Sequence, residues 1–281
     1  MATSRLDRLK GLATRATTRA AGRLGLDVVP RGSYSPLANV PAPDDASWDR
    51  RMDLPGLRLG LDEQVDLVRE ALADHVGAFA VPPPFRLDNP FYGPGDAELL
   101  FAVLRHEPPV RILELGSGWS THVARAAAPE AELVAVDLEP QLALPRGVRH
   151  ERVDAAELPL DRFAALEAGD VLFVDTTHVA KRGGEVNRVV LAVLPRLRRG
   201  VRVQFHDIFL PYDYPRLFFE LGGHFSEQYL LAALLTGTDE WEVEIAAQAL
   251  HRERADALAA AIPSLRRPGP VGPSAFWLRR A

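Results

Sequence analysis

Three places in the chain carry residues whose types and spacing suit chemistry. The first is Arg111-Ile-Leu-Glu-Leu-Gly-Ser-Gly-Trp-Ser-Thr-His122, which reads as a strand, a glycine turn and a helix start. Gly116 and Gly118 allow the backbone to turn sharply and approach a ligand closely, and the helix start offers unpaired N–H groups. The spacing is the first half of a dinucleotide fingerprint, but Thr121 stands where the third glycine belongs, which disfavours nicotinamide and flavin cofactors. Asp137 ends the next apolar run, nineteen residues after Gly118, where a carboxylate accepts hydrogen bonds from ribose hydroxyls. Glu114 precedes the glycines and suits a cationic group, such as the amino group of an amino acid, better than a pyrophosphate. A sulfonium cofactor with a ribose and an amino-acid part satisfies both.

The second and third places are Asp175-Thr-Thr-His178 and His206-Asp207, each at the carboxyl end of a later apolar run, where α/β sheets put their reacting groups. His178 is the first candidate for a general base, because imidazole titrates nearest neutrality, and His206 and Asp207 are its expected support. The stretch after Asp207 is the densest in aromatics. Tyr212 and Tyr214, beside Pro211 and Pro215, read as loop residues that contact a moderately apolar acceptor, and Phe218 and Phe219 as part of a helix packed on the sheet.

Short apolar runs alternating with helical stretches must position these groups, the arrangement of a parallel sheet with helical crossovers. Strands are expected at 111–115, 133–137, 148–152, 171–175 and 201–206, with a closing pair at 241–245 and 274–278. Helices are expected at 61–80, 96–106, 120–128, 185–197 and 247–261, the first of them stopped by Pro82, Pro83 and Pro84. Residues 1–26 carry six cations, Arg5 to Arg23, against Asp7 alone, with Leu6, Leu9 and Leu12 at helical spacing; they read as a basic amphipathic helix. A proline-rich connector follows, so the expected division is 1–60 as extension and 61–281 as the catalytic domain.

The 281 residues, 47% hydrophobic and 25% charged, supply a sizeable core and exclude disordered and fibrous classes. A net charge of −5 disfavours a nucleic-acid partner, and the absence of cysteine removes disulfides, thiolate metal sites and thiol nucleophiles. With no apolar run of membrane-spanning length and no secretory signal pattern, a cytoplasmic protein without stable membrane insertion is expected. The basic helix offers a docking element, either on its own domain or in a homo-oligomer.

The loop Glu114-Leu-Gly-Ser-Gly118 with Asp137 and Asp154-Ala155 resembles the class I S-adenosylmethionine-dependent methyltransferases over roughly residues 89–210. A narrower resemblance is to bacterial small-molecule methyltransferases of the methyltransferase family 24 type. Asn89-Pro-Phe-Tyr92, Asp96, Gly116-Ser-Gly-Trp-Ser-Thr121, Val174-Asp-Thr-Thr-His178 and Phe205-His-Asp-Ile-Phe-Leu-Pro-Tyr-Asp-Tyr-Pro215 carry it. The resemblance implies an α/β, Rossmann-like fold: a seven-stranded, mostly parallel sheet with helices on both faces. It implies S-adenosyl-L-methionine contacts at Tyr92, Glu114, Gly116, Ser117, Gly118, Ser120, Asp137, Leu138, Asp154, Ala155 and Asp175. The implied reaction is methylation of a small-molecule acceptor, a natural product or an attached sugar, most simply at a hydroxyl. Catechol-type O-methyltransferases, to which this region is more distantly similar, place a lysine base where His178 stands and hold a divalent metal with an Asp after the fourth strand and an Asp-Asn pair after the fifth. Here Ile208 replaces that Asn, so a metal is not expected; its ligands would be Asp175 and Asp207 with His178 or His206. An aminopropyl transferase and a non-catalytic cofactor-binding scaffold are the alternatives on the same fold.

Overall fold

The computed structural model describes residues 44–281 continuously and, before them, 17, 18, 20–26, 28, 29, 35, 37 and 42. The basic helix expected over 1–26, and any oligomer contact through it, lies largely outside the described residues. Residues 43–281 form one compact unit, separate from 1–42.

Seven strands make one sheet: β1 (Arg111–Leu115), β2 (Glu132–Val136), β3 (Val148–Glu151), β4 (Val171–Val174), β5 (Arg202–Phe205), β6 (Trp241–Ala246) and β7 (Phe276–Arg280). Their order is β3-β2-β1-β4-β5-β7-β6. β1 to β5 are mutually parallel, while β7 runs antiparallel to both β5 and β6. This is the seven-stranded, mostly parallel, Rossmann-like sheet that the sequence leads one to expect. β1, β2, β4 and β5 are almost wholly buried, as strands covered on both faces must be.

Alternation along each strand divides the core in two. Ile112, Leu133 and Val171 join the layer formed with Val68, Leu72, Leu99, Val103 and Val123, whereas Leu113, Leu115, Leu172, Val174 and Val203 join Phe163, Val189, Val193 and Leu231 on the other face. Helices therefore cover both faces. On the first face lie Leu61–Gly77, which passes through a π turn at Leu67–Leu72, together with Asp96–His106, Trp119–Ala127 and the pair Ala247–Glu253 and Ala255–Ala261, into which the expected single helix 247–261 is broken at Arg254. Glu114 alternates onto this face too, against the helix that starts at Trp119.

The helix read around Phe218 and Phe219 spans Arg216–Glu220, and two helices escaped the sequence reading, Leu160–Ala164 and Glu227–Thr236. The last contains Leu-Leu-Ala-Ala-Leu-Leu, apolar on every side, so the 3.6-residue signal is weak. The last strand starts two residues later than expected. The N–H groups of Ser274 and Ala275 bond to the Asp96 carboxylate at 2.8 and 2.7 Å, leaving the ladder to begin at Phe276.

The strand order reverses between β1 and β4, whose neighbours were laid down in opposite directions. The crevice at the carboxyl ends of these strands is where open α/β sheets bind ligands. Asp137, Asp175 and His206 each fall one residue past their strand and so project at this edge.

Candidate active site

Gly116 stands in the wall of the crevice, against the backbone of Asp175. It has φ 91°, and a Cβ there would sit 2.0 Å from the carbonyl oxygen of Asp175, so no other residue fits. Gly118 differs: a Cβ on it would meet nothing within 4 Å, so its space faces open crevice rather than packed protein. Thr121, in the place of the third glycine, is fully buried and its hydroxyl accepts the Gly118 N–H at 2.9 Å, capping the helix that follows.

A cleft of about 440 Å³ opens here, lined by Gly116, Ser117, Asp137, Leu138, Asp154, Ala155 and Asp175, among others. Seven residues expected to touch one cofactor thus line one cavity. The Ser117 hydroxyl donates to Asp137 at 2.6 Å and the Glu139 N–H donates to its other oxygen at 2.9 Å, which fixes the carboxylate at the rim. Behind the loop, Ser120 donates to Oε1 of Glu114 at 2.6 Å, while Oε2 is buried without a hydrogen-bond partner. Burial, aided by the charges of Asp175 and Asp137 and opposed by the nearby Ser120 and Thr121 hydroxyls, pushes the Glu114 carboxyl up to about 8. A buried, unpartnered carboxyl oxygen beside a helix start fits a cationic amino group.

Asp175, His178, His206 and Asp207 meet beside this cleft. His178 Nε2 lies 3.2 Å from Asp175 and 3.7 Å from Asp207; His206 Nδ1 lies 3.6 and 3.7 Å from the same two carboxylates. The remaining nitrogens face two further acids. His178 Nδ1 bonds Glu227 at 2.9 Å, and His206 Nε2 lies 3.3 Å from both Asp96 and the Ser274 hydroxyl. Among the described residues, His178 (φ 58°) and Asp207 (φ 54°) are the only non-glycines with left-handed backbone, the sort of strain that collects at functional sites.

Burial alone would lower the pKa of both imidazoles, but the surrounding carboxylates override it. His178 rises to about 10, through the hydrogen bonds its ring donates to Asp175 and Glu227 and through the charges of Glu227 and Asp207. His206 is raised in the same sense, mainly by Asp207 and Asp175. Asp175 is lowered despite its burial, by the two histidines. Both His178 nitrogens therefore face carboxylates. Among the described residues, no group of three His, Asp or Glu forms a metal site.

A second cavity, of about 350 Å³, adjoins the cluster through His206 and Asp207 and is walled by Phe91, Leu217, Phe218, Leu221 and Val271. Tyr212 and Tyr214 do not line it. Tyr214 is fully buried with its hydroxyl accepting the Gln228 N–H at 2.9 Å, and the Tyr212 hydroxyl turns away to Glu253 at 3.3 Å under the Arg252 guanidinium. Tyr92 is likewise absent from the cofactor cleft: its hydroxyl accepts from Gln204 at 2.7 Å, and its ring packs 4.9 Å from that of His206. The apolar walls come instead from Phe91 in the Asn89-Pro-Phe-Tyr92 segment and from Phe218. Glu227 and Ser274 carried no sharp sequence signal, since each reaches the cluster only by tertiary approach.

The sheet order is the one expected of a Rossmann-like methyltransferase fold. Residues 113–208 match a family model described as a methyltransferase domain, methyltransferase family 24, which covers β1 through the loop after β5. Comparison with curated protein sequences returns no match. Among solved structures, the plantazolicin methyltransferase BpumL, in complex with a monoazolic desmethylPZN analog and SAH, is similar at 12% identity with a TM-score of 0.44. That match covers 78% of this chain and 88% of BpumL. The mitomycin 7-O-methyltransferase MmcR is similar at 17% identity with a TM-score of 0.40, covering 65% of this chain and 52% of MmcR. The MycE methyltransferase from the mycinamycin pathway, in complex with Mg and SAH, matches at 24% identity with a TM-score of 0.27, covering 37% of this chain and 28% of MycE. Among the described residues, no helix is long and apolar enough to cross a membrane.

Proposed function

We propose that this methyltransferase acts on a hydroxyl of a moderately apolar small molecule, with His178 as general base. The observation that carries the reading is the position of the Asp175–His178–His206–Asp207 cluster, with Asp175 in the wall of the cofactor cleft and His206 and Asp207 in the wall of the apolar cavity.

In this reading Glu114, Ser117, Asp137, Asp154 and the Gly116–Gly118 loop hold the cofactor, which supplies an electrophilic methyl group when bound. Phe91, Leu217, Phe218 and Leu221 hold the acceptor and exclude water. With cofactor and acceptor bound, His178 would take the hydroxyl proton of the acceptor at Nε2. His178 must first surrender the proton it holds in the ligand-free cluster. A cation brought beside it favours that loss, since like charge lowers the pKa of an imidazolium. Asp175, Asp207 and Glu227 keep the protonated ring neutralised at the end of the step.

The carboxylate excess around the two imidazoles favours an amine acceptor as the second reading. The test begins with calorimetric titration of S-adenosylhomocysteine into the full chain and into Asp137→Ala. Saturable binding weakened in the variant supports the cofactor assignment; no binding by the wild type refutes it. In an acceptor screen, His178→Ala abolishes methylation of a hydroxyl, and retained turnover on an amine in that variant selects the second reading.

A further inference from the structure

We infer that Glu227, at the start of the helix Glu227–Thr236, is the positioning residue that fixes the ring orientation of His178 and so keeps the proton on Nδ1 when Nε2 acts; the inference rests on the reading of His178 as base. The bond between Glu227 Oε2 and His178 Nδ1, 2.9 Å long, joins two segments 49 residues apart. Glu227 is fully buried, and its other oxygen has no hydrogen-bond partner, so the carboxylate is committed to this one contact. An isolated buried carboxylate is costly, and the cost is offset here only by the imidazole.

The same helix start also grips the His178 backbone. The N–H groups of Ser226 and Glu227 donate to the His178 carbonyl at 2.8 and 3.1 Å, and the Ala180 N–H donates to the Ser226 hydroxyl at 2.9 Å. These main-chain bonds suffice to hold the loop after β4 in its left-handed turn at His178. The carboxylate is thus left with a separate task. With Nδ1–H pointed at Glu227, Nε2 is the nitrogen turned toward Asp175 and Asp207, the side from which an acceptor proton arrives. Phe225 packs 4.7 Å from the ring, which limits its tilt and leaves the flip about its long axis for Glu227 to prevent. A base needs a third group to orient it, and Glu227 supplies that from across the fold.

The experiment reads the imidazole directly and needs no acceptor. Nitrogen–proton correlation spectra of the histidine rings are recorded at pH 7 on the full chain, on Glu227→Gln, on Glu227→Asp and on His178→Gln, which assigns the signal. The expected wild-type spectrum shows a downfield, exchange-protected Nδ1–H for His178. In Glu227→Gln that signal is lost or broadened, while Glu227→Asp, which keeps the charge, retains it. S-adenosylhomocysteine affinity in both Glu227 variants stays within about threefold of wild type, because Glu227 does not line the cofactor cleft. An unchanged His178 signal in Glu227→Gln overturns the inference. So does loss of cooperative unfolding in both Glu227 variants, which would make Glu227 a residue of the fold. Failure of the wild type to bind S-adenosylhomocysteine would instead sink the functional reading and leave the ring result standing.

Discussion

Glu114 offers the sharpest quantitative test of how the cofactor is held. Its carboxyl is pushed up to about 8, first by burial, so in the free protein at pH 7 about 0.9 of the molecules carry the proton. A cationic amino group docking against the unpartnered Oε2 requires the ionised form. Binding at pH 7 must then expel about 0.9 of a proton, and apparent affinity must rise about tenfold per pH unit up to about pH 8, each unit being worth about 1.4 kcal/mol. Above that, deprotonation of the ligand's own amine, near pH 8, reverses the trend. Calorimetric titration of S-adenosylhomocysteine in two buffers of different ionisation enthalpy reads the proton count. Glu114→Gln should abolish proton release and weaken binding at pH 8 by about 1.5–3 kcal/mol, the range for a lost charged hydrogen bond. Near-zero proton release by the wild type, or the same pH profile in Glu114→Gln, would show that Glu114 only caps the helix at Ser120 and would refute the reasoning.

Four further outcomes follow from the same geometry. Gly116→Ala should destabilise the protein by about 2–4 kcal/mol in chemical denaturation, from the clash with the Asp175 carbonyl added to a left-handed backbone, whereas Gly118→Ala should leave stability within about 1 kcal/mol and weaken cofactor binding. Asp137→Ala should weaken S-adenosylhomocysteine by about tenfold or more, since a fixed carboxylate at the rim is lost. His178, raised from 6.5 to about 10, contributes stability that is fully present below pH 6.5 and is lost as pH rises through 10. The stability gap between wild type and His178→Gln should therefore narrow across that window, and a gap that widens contradicts the ion-pair account. Exhaustive chelation should leave S-adenosylhomocysteine affinity unchanged, because the imidazoles are occupied by carboxylates; a loss restored by added magnesium would contradict this.

Much of the cofactor side was legible because it is local. A strand, two glycines, a helix start and an acid at the next strand end lie within about one βαβ unit, and alternating burial fixes where they point. Gly116 and Asp137 were readable for that reason, Ser117, Leu138, Asp154 and Ala155 followed from the family resemblance, and all six share one cleft. The acceptor side was not. Tyr212 and Tyr214 looked like pocket residues by their proline-flanked setting, yet Gln228 and Glu253, from two other helices, capture their hydroxyls.

What the sequence alone determined is the order of strands and helices and the chemistry at their ends, since periodicity and turn residues act over a few neighbours. What only tertiary structure decided is how that chemistry is assembled. Asp96 and Glu227, more than a hundred residues apart in the chain, each close on one imidazole, leaving the other nitrogen of each ring toward Asp175 and Asp207. No local pattern encodes such contacts, because orientation and proton affinity in a buried site depend on every charge that the packed fold brings near.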